Sequence, residues 1–281
     1  MKVNAFIVGA PKAGTTSLHY YLSQHENVCM SSIKEPNFFS SKEVASLYYN
    51  SKPVNSSEQY RSLFSENKKI LGEASVSYLF YGDVPKRIYD YNKDAKIIIM
   101  LRDPVQRALS HYLMDCRLGF CNESIENILL KNKSYPQFFQ QFIELGLYYD
   151  QVSNYLSVFG KDKVKIIFYS DFKNDTAQIM NDLTDFLEIE KLDFSYTIQN
   201  PFLSPSSPFI SFLYKFNWIR KFVKLFLSNK NLDLAKKRFF LKNNKPNFSD
   251  NLKSKIRAYF LEDINKLEGL LDVNLSRWKK D

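Results

Sequence analysis

Short apolar runs alternate with amphipathic segments along most of the chain. Helical spacing of apolar residues follows the first run, at Leu18, Tyr21 and Leu22, and helices are also expected at 84–90, after Pro104, within 135–159 and at 177–187. The runs that predict strands are residues 5–10, 28–30, 70–75, 96–101 and 164–169. This alternation predicts an α/β fold with a central, mostly parallel sheet flanked by helices, with ligands at the carboxyl ends of the strands.

The C-terminal third has a different pattern. Three prolines within Pro201–Pro208 mark a connection, and Phe209–Leu227 follows as an aromatic helix with two apolar stripes separated by lysines. A final helix is expected to begin at Ser249 or Asp250 and to run through Leu271, so the last part of the chain is helical. We predict one domain over residues 1–281, with 208–248 as a basic, aromatic subregion inside it.

The charge is concentrated in that subregion. The chain of 281 residues has a formal net charge of +9, and residues 209–257 hold 13 Lys or Arg against two acids. Such a surface favours an anionic partner, namely a nucleotide, an acidic glycan or an anionic membrane, but not a nucleic acid in our interpretation. A solvated basic face is an equal alternative.

Cysteine usage and hydropathy bear on the compartment. Cys29, Cys116 and Cys121 are not accompanied by other metal ligands at the spacing of a metal site. Cys116 and Cys121 could form a disulfide in principle, but three scattered cysteines indicate reduced thiols. No apolar run reaches the length of a membrane span, and the N-terminal run leads directly into a polar loop rather than a cleavage site. We therefore expect a cytoplasmic protein.

A glycine-bearing loop joins the first predicted strand to the first helix. Gly9 and Gly14 have the spacing of a Walker A loop, but Thr15 stands where that loop has lysine, and Lys12 lies inside the loop instead. Backbone N–H groups and the dipole at a helix N-terminus favour an anion there. The loop suits one phosphate and a leaving group without a metal ion. Its candidate ligands are Lys12, Ala13, Gly14, Thr15, Thr16 and Ser17.

A second candidate anion site follows the strand predicted at 96–101. Arg102 comes directly after it, Asp103 fits an N-cap, Pro104 fits the first helical position, and Ser110 lies about two turns further on. Arginine beside a helix N-terminus can bind a phosphate, although the Arg-Asp-Pro sequence is also compatible with a salt-bridged cap. Two phosphate sites at adjacent strand ends predict a nucleotide that is phosphorylated at both ends.

Three segments in this order resemble the sulfotransferase family that uses 3′-phosphoadenosine 5′-phosphosulfate (PAPS). They are PKAGTTSL from residue 11, KEPNFF from residue 34 and KIIIMLRDPVQRALSHY from residue 96. The later segments GLYYDQVSNYLSVFGKDKVKIIFYSDF and NKPNFSDNLKSKIRAYFLEDINKLEGLL are also similar to that family, in particular to its bacterial and heparan-sulfate-type branch. The resemblance is weakest over 40–67 and 201–241. It implies a three-layer, P-loop-like fold.

The resemblance also implies roles for individual residues. Lys12 to Ser17 would hold the 5′-phosphosulfate, with Lys12 stabilising charge on the bridging oxygen, and Glu35 would be the general base for the acceptor hydroxyl. The remaining positions implied are Arg102 and Ser110 at the 3′-phosphate, Lys242 and Lys245 in a basic loop over the nucleotide, and Lys34, Glu73, Ser75 and Tyr78 toward the acceptor.

Two positions depart from the family pattern, and both concern the acceptor. Ala74 stands where the heparan-type branch has lysine, and Asn37 stands where a histidine is common. Histidine is also the competing type of base in this family. Of the three histidines, His19 and His25 are predicted packing or surface residues, and His111 points about 100° away from Ser110 on its helix.

The sequence thus predicts a metal-independent sulfotransferase. It would move the sulfuryl group of PAPS to a hydroxyl, rather than an amine, of a carbohydrate, polysaccharide or glycolipid, and release adenosine 3′,5′-bisphosphate (PAP). Two alternatives remain: a metal-dependent P-loop kinase, and a non-enzymatic nucleotide-binding adaptor held at a membrane by residues 209–227. Under the leading hypothesis the same residues could wall the acceptor groove, rest on the inner membrane surface or simply pack.

Overall fold

The chain folds around a parallel β-sheet. The computed structural model describes residues 2–49, 51–196, 203–205, 207, 210, 214–216, 240–242 and 246–280. Within them the main sheet has five strands in the order β2-β3-β1-β4-β5, and all four neighbouring pairs are parallel. The strands are β1 (Ala5–Gly9), β2 (Val28–Met30), β3 (Ile70–Ala74), β4 (Lys96–Leu101) and β5 (Val164–Phe168).

The two central strands form the core of the molecule. Every residue of β1 is buried, and Ile97 to Leu101 of β4 are fully buried, as expected for continuous apolar runs covered on both faces. Ile7 pairs with Ala74 on one side and with Ile98 on the other. The carboxyl ends of β1, β3 and β4 therefore lie side by side.

Helices flank this sheet, which confirms the predicted α/β class. Twelve are described, and five short 3₁₀ turns lie at Phe38–Ser40, Asn132–Ser134, Glu144–Gly146, Lys161–Lys163 and Ser276–Trp278. The helices are α1 (Thr15–Leu22), α2 (Ser41–Ala45), α3 (Ser57–Arg61), α4 (Val84–Tyr91), α5 (Pro104–Leu118), α6 (Ile125–Leu130), α7 (Pro136–Phe142), α8 (Tyr148–Phe159), α9 (Tyr169–Asn174), α10 (Thr176–Leu187), α11 (Asp250–Ala258) and α12 (Leu261–Leu271).

The long helix α5 begins as predicted. Asp103 is its N-cap, because the Asp103 carboxylate accepts a hydrogen bond from the Gln106 amide at 2.9 Å, and Pro104 is the first helical residue. The helix ends at Gly119, whose φ of 79° is left-handed. This fixed start places Arg102 at the carboxyl end of β4 and Ser110 about two turns along α5.

The single final helix predicted from residue 249 or 250 to Leu271 is wrong, because the chain turns between α11 and α12. The Phe260 amide bonds back three residues to the Arg257 carbonyl at 2.8 Å, which tightens the chain at this point. Phe260 is fully buried, and its ring lies where a side chain on Gly146 would be. The apolar residues before and after the turn follow one continuous helical spacing, so the sequence pattern predicts a single helix.

Part of the basic subregion lies outside the described residues. The candidate Lys245 and most of the predicted helix at Phe209–Leu227 fall there, since only residues 210 and 214–216 of that helix are described. Of Lys242 only the backbone is described, in a short antiparallel pair of β6 (Leu203–Pro205) and β7 (Phe240–Lys242). All three cysteines are free thiols. In the described part of the chain, no helix is both long and apolar enough to cross a bilayer.

Candidate active site

The glycine loop (residues 9–17) lies between β1 and α1 and presents backbone amides. Gly14, the N-cap of α1, has a φ of 92°, and a Cβ there would meet the Tyr169 ring at 3.0 Å. Lys12 is also left-handed, with a φ of 67°. Among the described residues, none accepts a hydrogen bond from the amides of Gly14, Thr15 or Thr16. The loop therefore offers free N–H donors at a helix N-terminus.

Arg102 is joined to the glycine loop rather than separate from it. Its guanidinium donates a hydrogen bond to the Lys12 carbonyl at 2.9 Å and lies over the Tyr169 ring, 4.8 Å from the centroid. Arg102 forms no ion pair with any carboxylate in the described ranges, so the geometry does not favour the salt-bridged cap. Ser110 is half-buried on α5. Their predicted binding of a 3′-phosphate remains a prediction.

Lys12 lies in a partly desolvated, cationic environment. Burial, together with the charges of Arg117 and Arg102, lowers the pKa of its ammonium to about 8, and the charges of Asp115 and Glu35 oppose this shift. Its Nζ is 3.3 Å from the Met114 sulfur on α5. A lysine with this pKa is mostly protonated at neutral pH and gains from an incoming anion.

The predicted base lies on a tight turn, which we call the Glu-Pro turn (residues 34–37). Glu35 and Asn37 both have left-handed backbones, with φ of 64° and 52°. The Glu35 amide donates to the Ala74 carbonyl at 2.8 Å at the end of β3. The Glu35 side chain is 43% exposed and pairs with Lys34 at 2.7 Å. Its charge also raises the pKa of Lys12, and the two predicted catalytic residues lie at the carboxyl ends of the adjacent strands β3 and β1.

Three side chains predicted to contact the acceptor are not at the surface. Glu73, Ser75 and Tyr78 are all fully buried. The Glu73 carboxylate accepts hydrogen bonds from the Tyr60 hydroxyl at 2.8 Å and the Ser75 hydroxyl at 2.9 Å. Burial raises its pKa to about 7, against the effect of these bonds. Direct acceptor contact by these three side chains does not follow from this geometry. Lys34 lies half-buried beside Glu35, and its contact with the acceptor stays a prediction.

Two of the three histidines, His25 and His111, are hydrogen-bonded through Nε2, that of His25 at 2.8 Å from the Glu190 carbonyl oxygen. His111 is buried, its Nε2 lies 2.7 Å from the Tyr49 hydroxyl, and burial holds its pKa well below the usual range. Tyr48 donates to the Asp115 carboxylate at 2.5 Å in the same network. Burial also lowers the pKa of His19, to about 4. The geometry thus favours Glu35 over a histidine as the base.

Sequence reasoning missed several residues of this site. Tyr169 was only the end of a predicted strand, although its place at the carboxyl end of β5 was a usable signal. Met114, Asp115 and Arg117 reach Lys12 from the second half of α5, where nothing in the local pattern singles them out. In the described part of the chain, no cluster of three or more His, Cys, Asp or Glu side chains could hold a metal ion.

These features define a P-loop-like transferase. An amide-lined loop follows the central strand, a cation lies at the end of the neighbouring strand, and a carboxylate faces them from the other side. Residues 2–201 match the family described as "Sulfotransferase domain". This match covers more than half of the chain, so the chain belongs to the sulfotransferase family, which confirms the resemblance seen in the sequence.

Individual sulfotransferases are similar to this chain. The crystal structure of a sulfotransferase from Alicyclobacillus acidocaldarius is 29% identical, with a TM-score of 0.74 over 100% of both chains. A membrane-associated sulfotransferase, kil1 of Dictyostelium discoideum, is 24% identical over 68% of this chain and 57% of its own length. Heparan sulfate glucosamine 3-O-sulfotransferase 3B1 of Mus musculus is 28% identical over 67% of this chain and 46% of its own. The chain spans about half the length of these curated relatives.

Proposed function

We propose that this protein transfers the sulfuryl group of PAPS to a hydroxyl of a carbohydrate acceptor, with Glu35 as general base and Lys12 at the leaving phosphate. One arrangement carries the proposal: the exposed Glu35 lies at the carboxyl end of β3, and the half-buried Lys12 lies in the loop that follows the adjacent strand β1. An in-line transfer needs these two charges on opposite sides of the reacting sulfur.

The proposed reaction forms one oxygen–sulfur bond, breaks another and transfers one proton. The acceptor oxygen attacks sulfur as its proton moves to the Glu35 carboxylate, and a new oxygen–sulfur bond forms. The bond between sulfur and the bridging oxygen breaks, and that oxygen keeps the electron pair on the 5′-phosphate of PAP. Lys12 stabilises the developing charge there, together with the loop amides. A carboxylate base in this position contributes about 10²–10⁴-fold.

Binding of the donor PAPS is proposed to use the glycine loop together with Arg102 and Ser110. Free amides at the start of α1 suit the 5′-phosphosulfate, and Arg102 with Ser110 is proposed to bind the 3′-phosphate. The transferred group carries less charge than a phosphoryl group, so fixed cations and N–H donors can replace a metal ion. We therefore propose that the reaction needs no metal.

The carbohydrate class of the acceptor is proposed from relatives. One similar protein is named for heparan sulfate glucosamine, and others are carbohydrate sulfotransferases. The basic composition of residues 209–257 suits an anionic polysaccharide. A glycolipid at the inner membrane surface is a second acceptor class, supported by the membrane-associated name of the Dictyostelium relative.

A transfer assay tests the proposal. The protein is incubated with ³⁵S-labelled PAPS and heparan sulfate, N-sulfated heparosan, chondroitin sulfate or an anionic glycolipid in vesicles, with and without EDTA. We expect label in at least one acceptor, unchanged by EDTA, and lost by about 10²-fold or more in Glu35→Gln. Glu66→Gln, which changes another exposed, ion-paired glutamate, is the control. No transfer to any acceptor, or full turnover in Glu35→Gln, would contradict the proposal.

A further inference from the structure

The Glu-Pro turn adopts a backbone that its sequence does not favour. Glu35 is left-handed without being glycine, which costs on the order of 1–2 kcal/mol, and Asn37, which tolerates this conformation better, is left-handed as well. Such a conformation persists only where surrounding contacts hold it. The Val54 amide donates to the Pro36 carbonyl at 2.8 Å, and further contacts come from the five residues after Glu73, which we call the support segment (residues 74–78).

The support segment binds the backbone at three places, two within the turn and one at Phe39, two residues after it. The Ala74 carbonyl accepts from the Glu35 amide at 2.8 Å, the Ser75 hydroxyl from the Asn37 amide at 3.0 Å, and the Tyr78 hydroxyl from the Phe39 amide at 3.1 Å. Two of these three acceptors are side-chain hydroxyls. Their oxygens must be oriented for the amides to be satisfied.

Glu73 orients the Ser75 hydroxyl. Its carboxylate accepts a hydrogen bond from Ser75 at 2.9 Å, while the Tyr60 hydroxyl donates to the other carboxylate oxygen at 2.8 Å. A hydroxyl that donates its hydrogen to Glu73 turns its lone pairs toward the amides of the turn. No cation pairs with Glu73 in the part of the chain that the structure describes. Its burial is therefore compensated by these hydroxyls alone.

A second chain of bonds fixes the side chain of Asn37. The Ser77 hydroxyl donates to the side-chain oxygen Oδ1 of Asn37 at 2.7 Å, and the side-chain nitrogen Nδ2 of Asn37 donates to the Glu35 backbone carbonyl at 2.9 Å. Asn37 is 7% exposed, so these bonds are shielded from water. The turn is clamped on both sides of Pro36, while the Glu35 carboxyl itself stays exposed.

We propose that Glu73 is a positioning residue that acts through Ser75 to hold the Glu35 carboxylate in its reactive direction. This inference rests on the proposed function, because it assigns Glu73, Ser75 and Tyr78 a task behind the base instead of contact with the acceptor. Misplacement of a catalytic group by about 1 Å can cost up to 10²-fold in rate. Donor binding at the glycine loop does not depend on it.

Variants of Ser75 test this with little disturbance of the core. Ser75→Ala leaves the Asn37 amide without its acceptor, and Ser75→Thr keeps the hydroxyl. We expect kcat to fall about tenfold in Ser75→Ala and to recover in Ser75→Thr, while KM for PAPS and the Kd for PAP stay within about twofold. Thr184→Val, which removes a fully buried hydroxyl from α10, is the matched control.

Combination with Glu35→Gln separates positioning from other roles. If Ser75 acts through Glu35, adding Ser75→Ala to Glu35→Gln changes the remaining turnover by less than about twofold. A further tenfold loss in the double variant, or a raised KM for the acceptor in Ser75→Ala alone, would overturn the proposal. The assay uses the acceptor that scores highest in the labelled-donor test.

Hydrogen exchange gives a readout that needs no acceptor. Exchange of the Asn37 amide should accelerate about tenfold or more in Ser75→Ala and not in Thr184→Val. Unchanged exchange contradicts the clamp even where transfer is normal. Accelerated exchange without sulfation of any acceptor leaves the clamp standing and rejects the proposed function, so the two failures are distinguishable.

Discussion

The glycine loop and the Glu-Pro turn lie at neighbouring strand ends but are built in different ways. The loop presents unbonded backbone amides and one lysine, whose Nζ contacts a thioether. The turn is clamped by hydroxyls around the buried Glu73 carboxyl and exposes one carboxylate. Backbone amides can bind an anion wherever a helix begins, whereas the orientation of a single base such as Glu35 depends on residues that are distant in the sequence. Changes in the loop should therefore affect donor binding and turnover together, and changes in the turn only turnover.

The largest effect is expected for Lys12→Met. Loss of the cation at the leaving phosphate should lower turnover by about 10²–10³-fold, comparable to removal of an oxyanion-hole donor. The Kd for PAP should rise in parallel, because the same charge binds the product. Labelled transfer and calorimetry measure the two quantities, with the exposed Lys161→Met as control. Turnover within about threefold of the wild type would contradict the role of Lys12.

The dependence of stability on pH should differ between the two regions. The pKa of Glu73 is raised to about 7 in the folded state, so its contribution to stability is present below its ordinary value near 4.5 and is lost as pH rises to about 7. The contribution of Glu73 to the free energy of unfolding should fall by up to roughly 3 kcal/mol through this window. Asp115, whose pKa is raised to about 6 by burial, adds to this fall, whereas His19 and His111, whose pKa values are lowered by burial, oppose it. The difference in unfolding free energy between the wild type and Glu73→Gln should therefore fall by this amount through the window.

The loop gives the opposite sign at high pH. The pKa of Lys12 is lowered to about 8, so stability should rise as pH increases from about 8 toward 10.5, and Lys12→Met should abolish this rise. Urea unfolding at intervals of one pH unit measures both windows. A Glu73→Gln variant with the wild-type slope between pH 4.5 and 7 would contradict a buried, protonatable Glu73.

Gly14→Ala should destabilise the protein by about 2 kcal/mol and weaken PAP binding. The left-handed φ disfavours a side chain, and the new Cβ would meet the Tyr169 ring at 3.0 Å and disturb the ring that packs on Arg102. Gly269→Ala in α12, where a Cβ meets nothing within 4 Å, should instead stabilise by about 0.5–1 kcal/mol. Equal effects of the two variants would remove the case for a strained glycine loop.

Asn37→Gly should have the smallest effect and the most selective one. Glycine keeps the left-handed backbone but loses both side-chain bonds of Asn37, so kcat should fall about tenfold while the Kd for PAP stays unchanged. Asn37→Ala should lose about 1 kcal/mol more stability, because alanine disfavours this φ. A change in PAP affinity in either variant would show that the two regions are not independent.

The loop could be predicted from the sequence and the clamp could not. The strands, the Asp103 cap and the anion loop follow from patterns within a few residues, and the family resemblance named Glu35 and Arg102. Ser75 and Asn37 are 38 residues apart, and Met114 and Lys12 are 102 apart, so no local pattern shows that they meet. The break at Phe260 was missed because the apolar spacing continues across it.

Binding of PAP compared with ATP, each titrated by calorimetry with and without Mg²⁺, tests most directly whether this site is built for the sulfuryl donor. We expect PAP to bind tightly with the same Kd in either condition, and ATP to bind at least about tenfold more weakly. A preference for ATP with Mg²⁺ over PAP would contradict the assignment of Lys12 and Arg102 and would indicate a kinase loop.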